Sequence, residues 1–233
     1  RDCLLSRGLG DVYKRQVGIL YNKKAYPNDH FDSWKQLYDK KYNNDVLLVD
    51  GAREAIGLAL NKLGYSLNDT NSQHLAEAEK TLSHLGPNVK GVVGDEITMM
   101  LEQHEANVAV VWSGVAAPMV QGSDEFNYVV PKEGSNLWFD NMVMPKTAQN
   151  KAGAYKFMNF LLDEEISKQN TEWVGYATPN KAAREKLPDE VKNDKRFYPT
   201  QQDQNRLEVY KDLGKETLSE YNERFLNFKI SLK

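Results

Sequence analysis

The sequence predicts an α/β fold in which helices flank a largely parallel sheet. Strand-length apolar runs such as Val46–Val49 and Val108–Trp112 alternate with stretches whose apolar residues recur at helical spacing, such as residues 53–63. A helix between two strands returns the chain to the same edge of a sheet, which produces parallel pairing. Because ligands bind at the carboxyl ends of such strands, the side chains that follow the strands are the first candidates for a binding site.

The elements of this pattern begin with a strand over residues 17–21. A short helix follows, capped by Asp32 or Ser33, with Trp34 as a packing residue. The helix over 53–63 comes directly after the next strand and carries its apolar residues on one face. Together these segments predict a β-α step.

Glycine and proline mark the ends of the following helices. Gly64 stops the first long helix, and a second helix with Ser72 as its N-cap ends before Pro87. A third helix is capped by Asp95. The pattern continues with a helix from Val115, a strand over 126–130, helices over 151–162 and 163–173, and a helical closing section over 203–233.

Two aromatic residues of the second half are assigned to packing. Phe157 falls in an apolar stripe with Ala154, Met158 and Leu161, a spacing typical of the buried face of a helix. Trp173 is likewise expected to be a packing residue.

Composition and charge exclude several classes of function. The 233 residues are 40% apolar and 10% aromatic, which is enough for one large core or two lobes. With 30 basic and 33 acidic side chains, a net charge of −3 and no basic block, the chain is not expected to bind nucleic acid. Its apolar runs fall short of the roughly 20 residues of a membrane-spanning helix. Cys3 is the single cysteine, which rules out an internal disulfide and a cysteine metal cluster.

Residues 1–16 differ from the rest of the sequence. They are basic, contain a Gly8-Leu9-Gly10 break and have no apolar core of the kind that a secretory signal needs. We therefore interpret residues 1–16 as foreign to the fold or as an unstructured N-terminal arm.

The sequence contains no recognisable catalytic machinery. It has no phosphate-binding loop, no serine-nucleophile motif and no H-E-x-x-H pair, and its four histidines lack the spacing of metal ligands. We therefore expect no catalytic residue, no metal site and no cofactor. A pair of carboxylates that hydrolyses glycosides is the alternative, and the sequence does not place two carboxylates opposite each other.

An indole and a carboxylate two residues apart form the first candidate for a binding site. In a strand, Trp138 and Asp140 project from the same face while Leu137 and Phe139 pack behind them. A ring face attracts positive charge and a carboxylate accepts N–H hydrogen bonds, so this pair suits an organic cation. The alternative is a core tryptophan beside a surface aspartate.

A set of motifs occurs in a specific order from residue 17 onward. Each motif alone is weak evidence for membership of a protein family. All of them in this order, at fitting separations, are specific evidence. The motifs are Val49-Asp50-Gly51-Ala52-Arg53-Glu54, Leu63-Gly64-Tyr65-Ser66, Val111-Trp112-Ser113-Gly114, Pro131-Lys132-Glu133-Gly134, Leu137-Trp138-Phe139-Asp140 and Val174-Gly175-Tyr176-Ala177-Thr178-Pro179-Asn180. In this order the chain resembles the spermidine/putrescine-binding proteins of bacterial polyamine ABC transporters.

The resemblance implies a type II periplasmic-binding-protein fold, in which two α/β lobes joined by a hinge enclose a cleft. It also implies that most of the first lobe is missing from this chain. On this mapping, residues 17–137 form most of the second lobe, residues 138–187 return to the first lobe, and residues 188–233 complete the second lobe with helices.

The resemblance also assigns ligand-binding residues. Trp112, Trp138 and Tyr176 would form aromatic walls around the methylene chain of a polyamine. Asp140 and Glu54 would bind its amines, because each charged nitrogen needs a carboxylate or a ring face once it leaves water. The structural alternatives are a core position for Trp112 and Tyr176 and a helix-dipole role for Glu54.

Four positions near these residues need separate treatment. Some relatives carry a carboxylate at the position of Gly51, which leaves open whether Asp50 substitutes for it or only caps a helix. Tyr210 stands at a glutamine position of the relatives and keeps a hydroxyl for hydrogen bonding. We expect Arg53 to point elsewhere, because a guanidinium would repel the ligand. The choice between putrescine and spermidine stays open.

The predicted function is that of an extracytoplasmic solute-binding protein. As the resemblance implies, it would capture polyamines and deliver them to the permease subunits of an ABC transporter. It would act as a monomer without enzymatic activity, in the periplasm or as a lipoprotein at the cell surface. The alternatives are a solute-binding protein for a sugar or an amino acid, and a carboxylate-based hydrolase.

Overall fold

The computed structural model describes residues 10–232, which belong to two compact units. Unit 1 comprises the described residues up to Arg15 together with Trp138–Thr200. Unit 2 comprises Gln16–Leu137 and the described residues from Gln201 onward. Each unit is described by itself below.

The helices and strands of the described residues are, in chain order, β1 (Gly10–Arg15), β2 (Val17–Asn22), β3 (Val46–Val49), α1 (Ala52–Leu63), α2 (Ser72–Leu85), β4 (Val89–Val93), α3 (Ile97–Glu102), β5 (Val108–Trp112), α4 (Ser113–Gly122), β6 (Phe126–Val129), β7 (Ser135–Asn136), β8 (Trp138–Met142), α5 (Lys151–Leu162), α6 (Glu164–Val174), α7 (Lys181–Glu185), α8 (Asp189–Lys192), α9 (Gln201–Gln204), β9 (Leu207–Glu208) and α10 (Gly214–Ser231). Short 3-10 helices cover Trp34–Tyr38, Lys40–Tyr42 and Gly86–Asn88.

The division into units differs from the expected one after residue 187. Residues 188–200 belong to unit 1, so only the chain from Gln201 onward returns to unit 2. The reason is that the segment after α7 packs on its own unit. For example, the hydroxyl of Tyr198 accepts a hydrogen bond from the backbone N–H of Thr178 at 3.2 Å.

The centre of unit 2 is a five-stranded mixed sheet with the strand order β4-β3-β5-β2-β6. β3 is parallel to β4 and β5, whereas β2 is antiparallel to β5 and β6. Four of these strands therefore point the same way, as expected of a largely parallel sheet, and β2 is the exception. Helices carry the chain back before β4, β5 and β6, while only turns and 3-10 helices join β2 to β3.

Aromatic side chains of α10 close the core of unit 2. Tyr221, Phe225 and Phe228 are buried among residues of the sheet, α1 and α2. The Tyr221 hydroxyl also donates a hydrogen bond to the carbonyl of Asp69 at 2.8 Å. Trp34 is 1% exposed, as expected of a packing residue.

The capping residues agree only in part with the sequence prediction. Gly64 ends α1 with a φ of 85°, a left-handed conformation that favours glycine, so the predicted stop is confirmed. In α2 the N-cap is Asn71 rather than Ser72, because the Asn71 side chain accepts the backbone hydrogen bond at that end. Asp95 does not cap α3, which begins two residues later at Ile97.

Unit 1 contains a two-stranded antiparallel ribbon of β1 and β8. In its register Arg15 lies opposite Trp138, and residue 13 lies opposite Asp140. Residues 10–15 thus form a strand, which differs from the expectation of an unstructured arm. The rest of that segment, residues 1–9, lies outside the described residues, and Gln16 is buried at the start of unit 2.

The helices of unit 1 leave apolar side chains in contact with water. Phe157 of α5 is 59% exposed and Trp173 of α6 is 91% exposed, so the expected buried stripe of α5 and the packing role of Trp173 are both wrong. The described part of unit 1 consists of a two-stranded ribbon and helices, and the packing of these elements leaves both rings exposed.

Within residues 10–232, no helix has both the length and the apolar character needed to cross a membrane. The same residues contain no group of three or more His, Cys, Asp or Glu side chains placed to hold a metal ion.

Asn88 provides a test of how unit 2 is held together. Its side-chain amide donates to the carbonyls of Leu37 at 2.7 Å and Asp39 at 2.8 Å. Asn88→Ala leaves both carbonyls without this buried donor, so we expect the free energy of unfolding to fall by about 1–3 kcal/mol. Urea denaturation followed by circular dichroism measures the change. The exposed Asn43→Ala is the matched control, and equal stability of the two variants would contradict the assignment.

Candidate functional site

In unit 2 the carboxylate of Glu54 is the centre of a group of three side chains. The indole of Trp112 lies close enough to this carboxylate to lower its pKa. The hydroxyl of Tyr210 lies 3.5 Å from Glu54 Oε1, which is a long hydrogen bond. Glu54 lies in the first turn of α1, Trp112 ends β5, and Tyr210 follows β9. The structure therefore brings together three of the residues that the sequence singled out.

The side chain of Glu54 turns back over the N-terminus of α1. Its carboxylate accepts a hydrogen bond from its own backbone N–H. A Cβ atom added at Gly51 would overlap Oε2 of Glu54, so a larger residue at position 51 would displace the carboxylate. Glycine at this position is therefore tied to the placement of Glu54.

The environment of Glu54 disfavours its charged form. Partial burial has the largest effect and raises the pKa of this carboxyl group above its ordinary value of 4.5. Smaller contributions lower the pKa, and they come from its own backbone N–H, the charge of Arg53, and the side chains of Trp112 and Tyr210. Burial, together with the charge of Glu54, also raises the pKa of Tyr210 well above 10.0, so its hydroxyl stays protonated as a donor. A carboxylate that has lost part of its hydration gains from a cation placed beside it.

Arg53 lies next to this group but is engaged elsewhere. Its Nη2 donates to Oδ1 of Asn68 at 2.8 Å, and its guanidinium carbon lies 4.3 Å from the centre of the Tyr210 ring. As expected, the guanidinium contacts partners other than the Glu54 carboxylate. It supports the ring whose hydroxyl faces Glu54.

A set of hydrogen bonds between distant segments holds Tyr210 in place. Glu208 accepts the backbone N–H of Leu67 at 3.1 Å, and Asn68 Oδ1 accepts the backbone N–H of Lys211 at 2.8 Å. Sequence reasoning missed Asn68 and Glu208, because no local pattern relates residues that lie more than 140 positions apart. Only the packing of the 207–211 segment beside α1 reveals them.

The side chain of Asp50 contacts a partner that is not part of the Glu54 group. Its carboxylate forms an ion pair with Nζ of Lys229 on α10, at 2.9 Å, and its side chain is half exposed. The N-cap residue of α1 is Gly51, with no capping bond from a side chain. The helix-capping role considered for Asp50 therefore has no contact that supports it among the described residues, and its ligand-binding role stays a prediction.

In unit 1 a second group lies on one face of the β1–β8 ribbon. The indole N–H of Trp138 donates to Oδ1 of Asp140 at 3.0 Å, so the two side chains share a face as the sequence predicted. Arg15 Nη2 donates to the same oxygen and forms an ion pair with Asp140. The guanidinium carbon of Arg15 lies 5.1 Å from the centre of the Tyr176 ring. Trp138, Asp140 and Tyr176 are thus brought together around Arg15.

Arg15 is a further residue of this group that the sequence analysis did not find. It belongs to a segment interpreted as foreign or unstructured, and its partner Asp140 is 125 positions away. The pairing register places Arg15 opposite Trp138, which makes Asp140 its diagonal neighbour on the adjacent strand. No signal in the linear sequence indicates this pairing.

Comparisons with known proteins agree with the order of the motifs. The family profile of bacterial extracellular solute-binding proteins matches residues 9–199. The spermidine/putrescine-binding periplasmic protein of Salmonella typhimurium is 39% identical over 198 residues, which are 85% of this chain and 56% of that protein. The chain therefore spans about half the length of this curated relative.

Solved structures agree with the fold of the chain. A putative spermidine/putrescine ABC transporter from Listeria monocytogenes has a TM-score of 0.91 and 52% identity, covering 96% of this chain and 69% of that one. The spermidine/putrescine ABC transporter substrate-binding protein from Streptococcus pneumoniae has a TM-score of 0.89 and 42% identity, covering 98% of this chain and 70% of that one. These matches confirm the predicted α/β fold and the family resemblance. This chain belongs to the bacterial extracellular solute-binding proteins.

Proposed function

We propose that this chain belongs to a protein that captures polyamines outside the cytoplasmic membrane and delivers them to an ABC transporter. The observation that carries the proposal is the presence, in each unit, of a carboxylate held among aromatic side chains. The two groups are Glu54 with Trp112 and Tyr210 in unit 2, and Asp140 with Trp138 and Tyr176 in unit 1.

The chemistry of a polyamine fits groups of this kind. A polyamine is a chain of positively charged nitrogens separated by apolar methylene segments. A carboxylate binds the ammonium through charge-assisted hydrogen bonds, while ring faces attract the charge and contact the methylenes. Each cation-π contact contributes about 0.5–2 kcal/mol, and micromolar affinity corresponds to about 8 kcal/mol, so several such contacts are needed together.

The names of the matched proteins support the same ligand class and the transport role. The relatives and solved structures described above carry spermidine and putrescine in their names, and two of them are assigned to ABC transporters. By this proposal the protein acts in the periplasm or, as a lipoprotein, at the cell surface. It has no catalytic role, and its partners are the permease subunits of the transporter.

Calorimetric titration tests the proposal. Spermidine and putrescine are titrated into this chain and into a version extended to the full length of the relatives, with glucose and glutamate as control ligands. We expect heat from the polyamines alone, with higher affinity in the extended version. Binding of a control ligand without polyamine binding would favour another solute. Release of product during incubation would instead favour the carboxylate-based hydrolase.

Glu54→Gln tests the anion of unit 2. The substitution keeps the shape of the side chain but removes the charge, so we expect spermidine affinity to fall about 10- to 100-fold, the range of a charge-assisted hydrogen bond. Titration calorimetry measures the change, and the exposed Glu102→Gln on α3 is the control of equal charge. An unchanged affinity in Glu54→Gln would remove Glu54 from the ligand site.

The pH dependence of binding tests the same carboxylate independently. Because burial raises the pKa of Glu54 above 4.5, its protonation begins at a higher pH than that of an ordinary glutamate. Spermidine affinity should therefore fall as the pH is lowered from about 7 to about 4, since only the ionised form attracts the ligand. Glu54→Gln should bind weakly with a flatter pH profile. The same pH slope in both proteins would contradict the assignment.

A further inference from the structure

The short strand β7 binds the beginning of β2 through its side chains. Oδ1 of Asn136 accepts a hydrogen bond from the backbone N–H of Val17 at 2.7 Å, and the Ser135 hydroxyl donates to the backbone carbonyl of Val17 at 2.6 Å. Ser135 and Asn136 are both buried. The pairing of β2 with β6 begins at Ile19, so the two side chains of β7 bind the backbone groups of a residue that lies before that pairing.

The other edge of β2 is paired with the strand that carries Trp112. Val17 lies directly opposite Trp112 in the antiparallel pairing of β2 with β5. Because both backbone groups of Val17 are bound by β7, they point away from β5, and the side chains of such a pair lie close together. Ser135 and Asn136 therefore fix the residue that lies beside Trp112.

The backbone of β7 pairs with the strand that precedes Tyr210. β7 is parallel to β9, and Asn136 lies opposite Glu208. The backbone N–H of Leu137 donates to the carbonyl of Glu208 at 2.7 Å. Since Tyr210 comes only two residues after Glu208, its backbone is held to β7 as well.

Gly134 allows β7 to approach the segment that leads to β9. Its φ of 113° lies in the left-handed region that favours glycine, and an added Cβ atom would overlap the carbonyl oxygen of Arg206. The indole N–H of the buried Trp34 donates to the carbonyl of Gly134 at 2.9 Å. The start of β7 is thereby fixed to the core of unit 2.

We propose that Ser135 and Asn136 are positioning residues of the Glu54 group, because β7 holds Trp112 through β2 and Tyr210 through β9. Their hydrogen bonds go to the backbone of Val17, so their effect on Glu54 passes through other residues. This positioning role concerns the geometry of unit 2 without a ligand. That the geometry serves to bind a polyamine rests on the proposed function.

The contacts of Glu54 are sensitive to small movements of β7. The Tyr210 hydroxyl lies 3.5 Å from Glu54 Oε1, at the long end of the hydrogen-bond range, so a modest displacement breaks this contact. Loss of the β7 side chains also leaves the buried N–H and carbonyl of Val17 without their partners. Unpaired buried backbone groups are unfavourable, which favours a shift of β2 and of the Trp112 position beside it.

The Trp112 indole N–H signal in NMR spectra tests the positioning role without a ligand. Because this indole lies beside the Glu54 carboxylate, its signal should change with pH as Glu54 ionises. Trp112→Phe identifies the signal by its absence. In Asn136→Ala the pH-dependent change of the signal should be lost, since the indole is displaced from the carboxylate. The same pH-dependent change in Asn136→Ala and in the unaltered chain would overturn the proposal.

Asn88→Ala is the matched control for this measurement. Asn88 is also a buried asparagine bonded to the backbone, but its partners are the carbonyls of Leu37 and Asp39. Asn88→Ala should therefore lower stability and leave the pH-dependent change of the Trp112 signal intact. Loss of this change in both variants would show a general effect of destabilisation and would overturn the proposal.

A second pair of variants keeps the test decisive if Asn136→Ala does not fold. Ser135→Ala removes the hydroxyl that binds the Val17 carbonyl, and it should reduce the pH-dependent change of the Trp112 signal. Ser135→Thr keeps a hydroxyl and should restore it. Equal signals in Ser135→Ala and Ser135→Thr would contradict the positioning role.

Titration calorimetry with spermidine separates this inference from the proposed function. The affinity of Asn136→Ala should fall about 3- to 30-fold, the range of one aromatic contact with a cation, while Asn88→Ala should bind as the unaltered chain does. Full affinity in Asn136→Ala would overturn the positioning role. If no version binds spermidine but the Trp112 signal responds as expected, the positioning role is supported and the proposed function fails.

Discussion

A carboxylate that is partly removed from water needs hydrogen-bond donors or a cation, and this requirement organises both candidate groups. The Glu54 carboxylate lies beside the Trp112 indole, the Tyr210 hydroxyl and its own backbone N–H. Asp140 receives the Trp138 indole and an arginine. In each case an aromatic side chain lies beside the carboxylate with both a polar donor and an apolar surface, so the carboxylate keeps part of its charge stabilisation where its contact with water is reduced.

Residues outside the Glu54 group hold its hydrogen-bond donors in place. Tyr210 follows a two-residue strand, and its position depends on the bonds of Asn68 and Glu208 and on the stacking of Arg53. α10 supports the same region, since the Tyr221 hydroxyl donates to the carbonyl of Asp69. The geometry of the Glu54 group is therefore coupled to the packing of α10.

Two arginines show how the surroundings decide the role of a charge. Arg53 is adjacent to Glu54 in sequence, yet its guanidinium has partners in the 67–68 loop and leaves the carboxylate to neutral donors. Arg15 is remote from Asp140 in sequence, yet the strand register brings its guanidinium onto that carboxylate. Sequence proximity thus has little bearing on which charges pair, because the direction of each side chain follows from its backbone.

Local patterns in the sequence were sufficient to predict the α/β class, the position of most strands and long helices, and the shared face of Trp138 and Asp140. These features depend on local periodicity and on residues such as Gly64 that favour one conformation, so a linear pattern contains them. Four features became evident only from the folded chain: the reversed direction of β2, the exposure of Trp173, the ion pair of Asp50 with Lys229 and the presence of Arg15 beside Asp140. Each of these depends on which distant segments become neighbours, and that outcome is set by long-range packing and strand pairing rather than by the residues nearby in the chain.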